Sequence, residues 1–163
     1  MGREGRTALL LLLGARVSSE GNQAASEPAT HAVVTADQVK FAPIEIPGFA
    51  SGLKIAVVHG DPNATSGSYV IRLVFPDGYK IPPHWHPAYE HVTAVSGTVG
   101  LGMGDVFDKG KGATLGAGGF AWMAPTTHHF FWAETDAVIQ LHGMGPWQLY
   151  YLNPGDDPRT AKK

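Results

Sequence analysis

The chain has 163 residues, enough for one domain with a real core and short for two. Hydrophobic residues make up 44% and charged residues 16%, a globular balance, and a formal net charge of -2 shows no basic excess of the kind that binds nucleic acid. Cysteine is absent, which excludes disulfides, thiolate catalysis and cysteine-based zinc sites.

Residues 1–25 read as a secretory signal peptide. Arg3 and Arg6 precede an apolar run from Ala8 to Leu13, and small and polar residues follow. The run is too short to span a bilayer, so the expectation is a secreted or periplasmic protein with no membrane attachment after cleavage. Residues 26–36 are small and polar and read as a linker, residues 37–155 as a single β domain, and residues 156–163 as a frayed tail.

Within the domain, short runs rich in Val, Ile, Leu and aromatic residues recur: "VKFAPIEI", "LKIAVVHG", "SYVIRLVF", "EHVTAVSG", "TVGLGM", "GFAWMAP", "HFFWAE", "AVIQLHG" and "WQLYYL". Turn clusters such as "GDPNATSG", "PDGYKIPP" and "GDVFDKGKGATLGAGG" separate them, and no stretch keeps a 3.6-residue apolar period. Nine or so short strands at this spacing predict an all-β antiparallel sandwich or barrel.

Chemistry concentrates in "PPHWHPAYEH", residues 82–91. His84 and His86 are two apart, so in an extended strand both imidazoles project to one face and can reach one ion. Glu90 shares that parity, but four residues of straight strand would carry it about 13 Å away. The chain must therefore bend between them, and Pro87, which has no N–H for a ladder, suits the bend. His91 then faces the other way, and His31, His59 and His91 read as surface or packing residues.

The stretch "GYKIPPHWHPAYEHVTAVSG" resembles the first motif of the cupin superfamily, G-x5-H-x-H-x3-E-x6-G, with Gly78, His84, His86, Glu90 and Gly97 in the specified positions. The second cupin motif is matched in part: with His129 as its histidine, Gly118 fits, while Ala124, Thr126 and Ala133 replace the usual Pro, Gly and Asn. His128 is the alternative in that register. The resemblance implies a double-stranded β-helix, the jelly-roll barrel, with His84, His86, Glu90 and His129 as ligands of a divalent transition metal (Fe, Mn, Ni, Co or Zn). It also extends to this chain the homodimers common among cupins.

The remaining pocket candidates come from alternation. On "AVIQLHG", Gln140 and His142 share one face, and polar residues inside a small barrel are costly unless they meet a ligand, so the expectation is that they line the site, with His142 as a general base. Arg72 reads either as an anchor for a carboxylate or as half of a rim salt bridge. Trp85, Phe120, Trp122, Phe131 and Trp132 read as core. The resulting functional expectation is a metal-dependent enzyme on a small organic molecule, first a dioxygenase and second a lyase or isomerase. The different class that stays open is a secreted module that binds a small molecule or metal without converting it.

Overall fold

A computed structural model describes residues 31–44 and 49–160. The signal-peptide reading of residues 1–25 lies outside the described residues, as does most of the linker. The chain divides at Val33 and Val34, and in the first part His31 to Val33 are exposed and without regular structure.

In the second part the described residues form eleven strands: β1 (Ala42–Pro43), β2 (Lys54–His59), β3 (Ser68–Phe75), β4 (Lys80–Trp85), β5 (Glu90–Ser96), β6 (Val99–Met103), β7 (Gly112–Leu115), β8 (Phe120–Met123), β9 (His129–Ala133), β10 (Ala137–Met144) and β11 (Tyr150–Tyr151). Three single 3-10 turns are the only helical elements among the described residues, and no helix there is long and apolar enough to cross a membrane. One sheet has the order β1-β2-β3-β10-β5-β8 and the other β11-β4-β9-β6-β7, with antiparallel pairing throughout. This is the expected all-β jelly roll.

Two strands lie where the sequence reads as turn. β4 runs through Pro82 and Pro83, and its pairing with β9 goes from Ile81↔Phe131 to His84↔His129 across a register shift. The prolines cannot donate to the ladder, so the strand survives by slipping there. The slip matters for the site, because it lets Ile81 and His84, three residues apart, both face the barrel interior. β7 is an edge strand of mostly exposed residues, which is why its composition resembles a loop.

The core lies between the sheets and includes Leu73, Phe75, Val92, Leu101, Phe131, Ile139 and Leu141. Phe75 packs on Phe131 at 4.5 Å between ring centres and edge-on to Tyr79 at 5.3 Å. The glycines of β6 have a packing role: a Cβ at Gly100 would lie 2.0 Å from the Trp132 ring, and one at Gly102 would lie 2.1 Å from Phe130. The outer face of that sheet is thus filled by two large rings seated on two glycines.

Three of the aromatics expected in the core lie elsewhere. Phe131 and Trp132 are buried, but Phe120 and Trp122 stand 51% and 58% exposed on the outer face of the six-stranded sheet, and Trp85 stacks on Tyr150. The tail is not frayed through Thr160. Arg159 pairs with Asp157 at 2.6 Å and donates to the Leu149 carbonyl, and the Thr160 hydroxyl donates to the Pro154 carbonyl.

Candidate metal centre

Strand alternation builds the site from three strands and one bend. β4 delivers His84 inward, and Trp85 turns out onto Tyr150. His86 follows just past the end of β4, and the chain bends at Pro87 and Ala88. β5 then opens with Glu90 facing in and His91 facing out. From β9, paired to β4 through His84↔His129, comes His129. All four side chains are buried, with relative exposures of 1% to 7%.

One nitrogen from each of His84, His86 and His129 lies within 4.8 Å of the others, a separation that donor atoms about 2.1 Å from a shared ion reach with small side-chain adjustments. Glu90 joins them, with one carboxylate oxygen 3.4 Å from His86 Nε2 and the other 3.3 Å from His129 Nε2.

The tautomers follow from what holds each ring. His84 Nδ1 meets the Pro82 carbonyl at 2.7 Å, His86 Nδ1 the Gln148 carbonyl at 2.5 Å, and His129 Nδ1 the Thr127 carbonyl at 3.0 Å. A carbonyl only accepts, so each Nδ1 carries the proton and donates, and each Nε2 is left with a lone pair. Fixing the outer nitrogen in this way is how proteins orient metal-binding imidazoles.

The consequence is an electrostatic demand. His86 Nε2 and His129 Nε2 are buried without a hydrogen-bond partner, and both lie against a carboxylate. Burial pushes the Glu90 carboxyl up, and only positive charge at the positions of His86, His129 and His84 brings it down, to about 2, so with the rings neutral that charge has to come from elsewhere. His84 is driven well below the ordinary imidazole range, first by burial and then by His129 and His86, so it stays neutral. Lone pairs converging on a carboxylate require a cation between them, and the residues present fit a divalent transition metal.

Around this cluster the cavity wall is apolar: Phe49, Leu73, Phe75, Ile81, Val92, Leu101, Phe131, Ile139, Leu141, Trp147 and Leu149. The wall corrects the reading of β10. Ile139 and Leu141 face the cavity, whereas Gln140 and His142 lie on the outer face of the sheet. Gln140 accepts from Arg72 Nε at 3.1 Å, and His142 stacks flat on His91, 4.7 Å between centres and 7° from parallel. Polar residues inside a barrel need a ligand, but the polar face of β10 is the solvated one. Arg72, paired with Gln140, faces away from the cavity as well. His128, the alternative to His129, also points outward, with Nδ1 2.7 Å from Asp105.

Phe49 and Trp147 escape a motif reading because neither lies in a strand. They stack at 5.5 Å, and Trp147 is placed by its own N–H to the Pro62 carbonyl. The nearest sequence signal is "GPW", residues 145–147, just after β10.

No protein-family model matches the chain, and no curated protein matches it by sequence. Solved structures do. A polyketide cyclase from Streptomyces resistomycificus superposes with TM-score 0.63 at 17% identity, covering 79% of this chain and 90% of that one. A putative acetylacetone dioxygenase from Methylibium petroleiphilum gives 0.60 at 18%, covering 82% and 88%. An RmlC-like cupin from Shewanella frigidimarina gives 0.53 at 16%, covering 71% and 91%. Two antiparallel sheets, a histidine cluster inside the barrel and these neighbours agree with the complete first motif: the chain has the cupin fold.

Proposed function

We propose that this chain is a metal-dependent oxygenase acting on a small, largely apolar molecule, with His84, His86, Glu90 and His129 as the ligands of the ion. The observation that carries the reading is the convergence of three carbonyl-tethered imidazoles and one carboxylate on a common point in an apolar cavity. Four donors leave two positions on a six-coordinate ion, which would supply redox or Lewis-acid chemistry there. A site that is only structural is normally closed by protein groups. The apolar wall of Leu73, Phe75, Phe131 and Leu141 keeps bulk water from the reacting atoms, and the three carbonyl tethers hold the imidazoles neutral and aimed.

The choice of an oxygenase over a lyase or isomerase rests on the cavity lining. Among the described residues, His84, His86, Glu90 and His129 are its only titratable members, so with all four on the ion none of these is left to abstract a proton. The second reading is proton-transfer chemistry with Glu90 released as base, and it draws support from the likeness in fold to a polyketide cyclase. The dioxygenase neighbour supports the first. Fold alone does not choose between them. In either case the leader-like sequence of residues 1–25 supports an activity outside the cytoplasm.

The test is metal analysis of protein purified without added metal, followed by oxygen-uptake assays with small diones, enols and diols. An oxygenase turns over with iron or another redox-active ion, and zinc inhibits it, because zinc does not change oxidation state. Turnover that persists without oxygen and with zinc supports the second reading. Ligand retained but never converted, under any metal or oxygen condition, supports the binding module.

A further inference from the structure

One polar atom of the cavity lining is left over once the metal site is accounted for. Among the described residues, three buried side-chain nitrogens have no hydrogen-bond partner: His86 Nε2, His129 Nε2 and Trp147 Nε1. The first two belong to the ion. Trp147 Nε1 is an indole N–H, which only donates, so no metal satisfies it. It requires an acceptor.

Trp147 is part of the same cavity wall as the histidines, and its ring is held from two sides. It stacks on Phe49 at 5.5 Å, and its backbone N–H donates to the Pro62 carbonyl at 2.6 Å. The next residue, Gln148, offers its carbonyl to His86 Nδ1, so the segment that carries the indole also aims a member of the cluster. Among the described residues, no other member of the lining outside the cluster has a polar side-chain atom, because the rest are Phe, Leu, Ile and Val. The cavity therefore presents one ion site and one neutral donor in an apolar shell. A buried unpaired donor is unfavourable to the protein on its own, and an acceptor atom entering the cavity recovers that loss.

We propose that Trp147 is a substrate-binding residue of this cavity, its indole N–H donating to an oxygen of a molecule that is apolar elsewhere and holds the ion through its oxygens. This rests on the metal reading above and adds to it a second recognition point and a substrate class. A chelating carbonyl or enolate oxygen is the acceptor that fits, since the described residues of the wall include no lysine or arginine to neutralise a further charge.

The experiment uses the full chain loaded with zinc, which blocks redox turnover, and 2,4-pentanedione as a small chelating probe with an apolar remainder. Zinc content is measured first. A protein that takes up no zinc overturns the metal reading, and this one with it. With zinc bound, the four tryptophans labelled with 15N at the indole give four signals, and the Trp147 signal moves downfield as the probe saturates. Trp147→Phe keeps the ring and its stack but removes the donor. It retains its zinc, loses one indole signal and weakens the probe about 5- to 10-fold, the loss expected for one neutral hydrogen bond. If that variant fails to fold, Trp85→Phe, Trp122→Phe and Trp132→Phe assign the Trp147 signal by elimination, and the titration stands on its own. A Trp147 signal unmoved at saturation assigns the indole to the small void it shares with Tyr69, Pro146 and Gln148, and overturns the proposal. An unchanged probe affinity in Trp147→Phe overturns it equally.

Discussion

The barrel interior and the outer face of the six-stranded sheet carry the same residue type in opposite roles. Inside, His86 is tied by Nδ1 to a carbonyl, and its second nitrogen is buried, unpartnered and against a carboxylate. Outside, His91 and His142 lie flat on each other beside Phe120, and Tyr89, Phe120, Trp122 and Met144 stand around them half exposed to solvent. The histidines of both faces are spaced at two residues or paired across strands. What distinguishes a metal-binding imidazole is thus neither its spacing nor its proximity to another histidine. A fixed far nitrogen is shared by His91, whose Nδ1 meets the His142 carbonyl at 3.3 Å, so the mark is a near nitrogen that is buried with nothing else to bind.

The strongest way to break the comparison is to remove one ring from each face. His86→Ala or His84→Ala is expected to lower metal affinity by more than about 100-fold, since loss of a ligand exceeds the 10- to 100-fold cost of losing a ligand's supporting bond. His91→Ala and His142→Ala should keep the metal content of the parent and, because His142 faces away from the cavity, its turnover. Metal content by mass spectrometry after dialysis is the check. Equal loss in all four variants would erase the distinction between the faces.

How far the sequence could be read follows the same line. Parity along a strand is local, so "PPHWHPAYEH" shows that His84 and His86 share a face, that Glu90 needs a bend to join them and that His91 is excluded. The structure brings His84, His86, Glu90 and His129 together on one side and leaves His91 and His128 outside. On β10 the same parity pairs Gln140 with His142, but it does not say which pair faces in. That depends on which side the second sheet covers, a tertiary fact, and Ile139 with Leu141 gives the answer through hydrophobic burial. β4 was obscured by its prolines and β7 by its edge position. Phe49 and Trp147 reach the cavity from outside the strands, where there is no period to read.

The outer side of the five-stranded sheet sharpens the comparison, because it is neither a site nor solvated. Trp132 and Phe130 fill it, seated on Gly100 and Gly102 and covered by Phe107. Gly100→Ala would set a methyl 2.0 Å from the Trp132 ring, and the ring is held in place by its indole hydrogen bond to Glu134. Overpacking of this kind costs about 1–3 kcal/mol, which at this chain length lowers Tm by about 2–4 °C for each kcal/mol. A thermal melt measures it, and metal content should be unchanged because the affected ring lies on the far side of β9 from His129. A melt that matches the parent would show that Trp132 moves freely and that this face is not packed.

The smallest expected effect concerns the outer histidine pair and the proton. His142 lies below its ordinary value of 6.5, through partial burial first and the neighbouring His91 second. The folded chain therefore binds a proton at this position less readily than the unfolded chain does. Stability rises with pH wherever the unfolded state holds more protons, so the His142 contribution is neutral well above 6.5 and becomes destabilising as pH falls from 6.5 toward the folded value. His142→Gln removes the titration but leaves a side chain of similar reach. Any constant offset from the lost ring stack is the same at every pH, and protonation of the buried cluster is common to both proteins, so neither contributes to the change in their difference. Urea midpoints at pH 8, 6.5 and 5 are expected to show the variant gaining on the parent as pH falls. A difference constant across that range would mean that the pair accommodates a proton as easily as solvent does, and the outer face would then be a passive surface rather than one that resists charge.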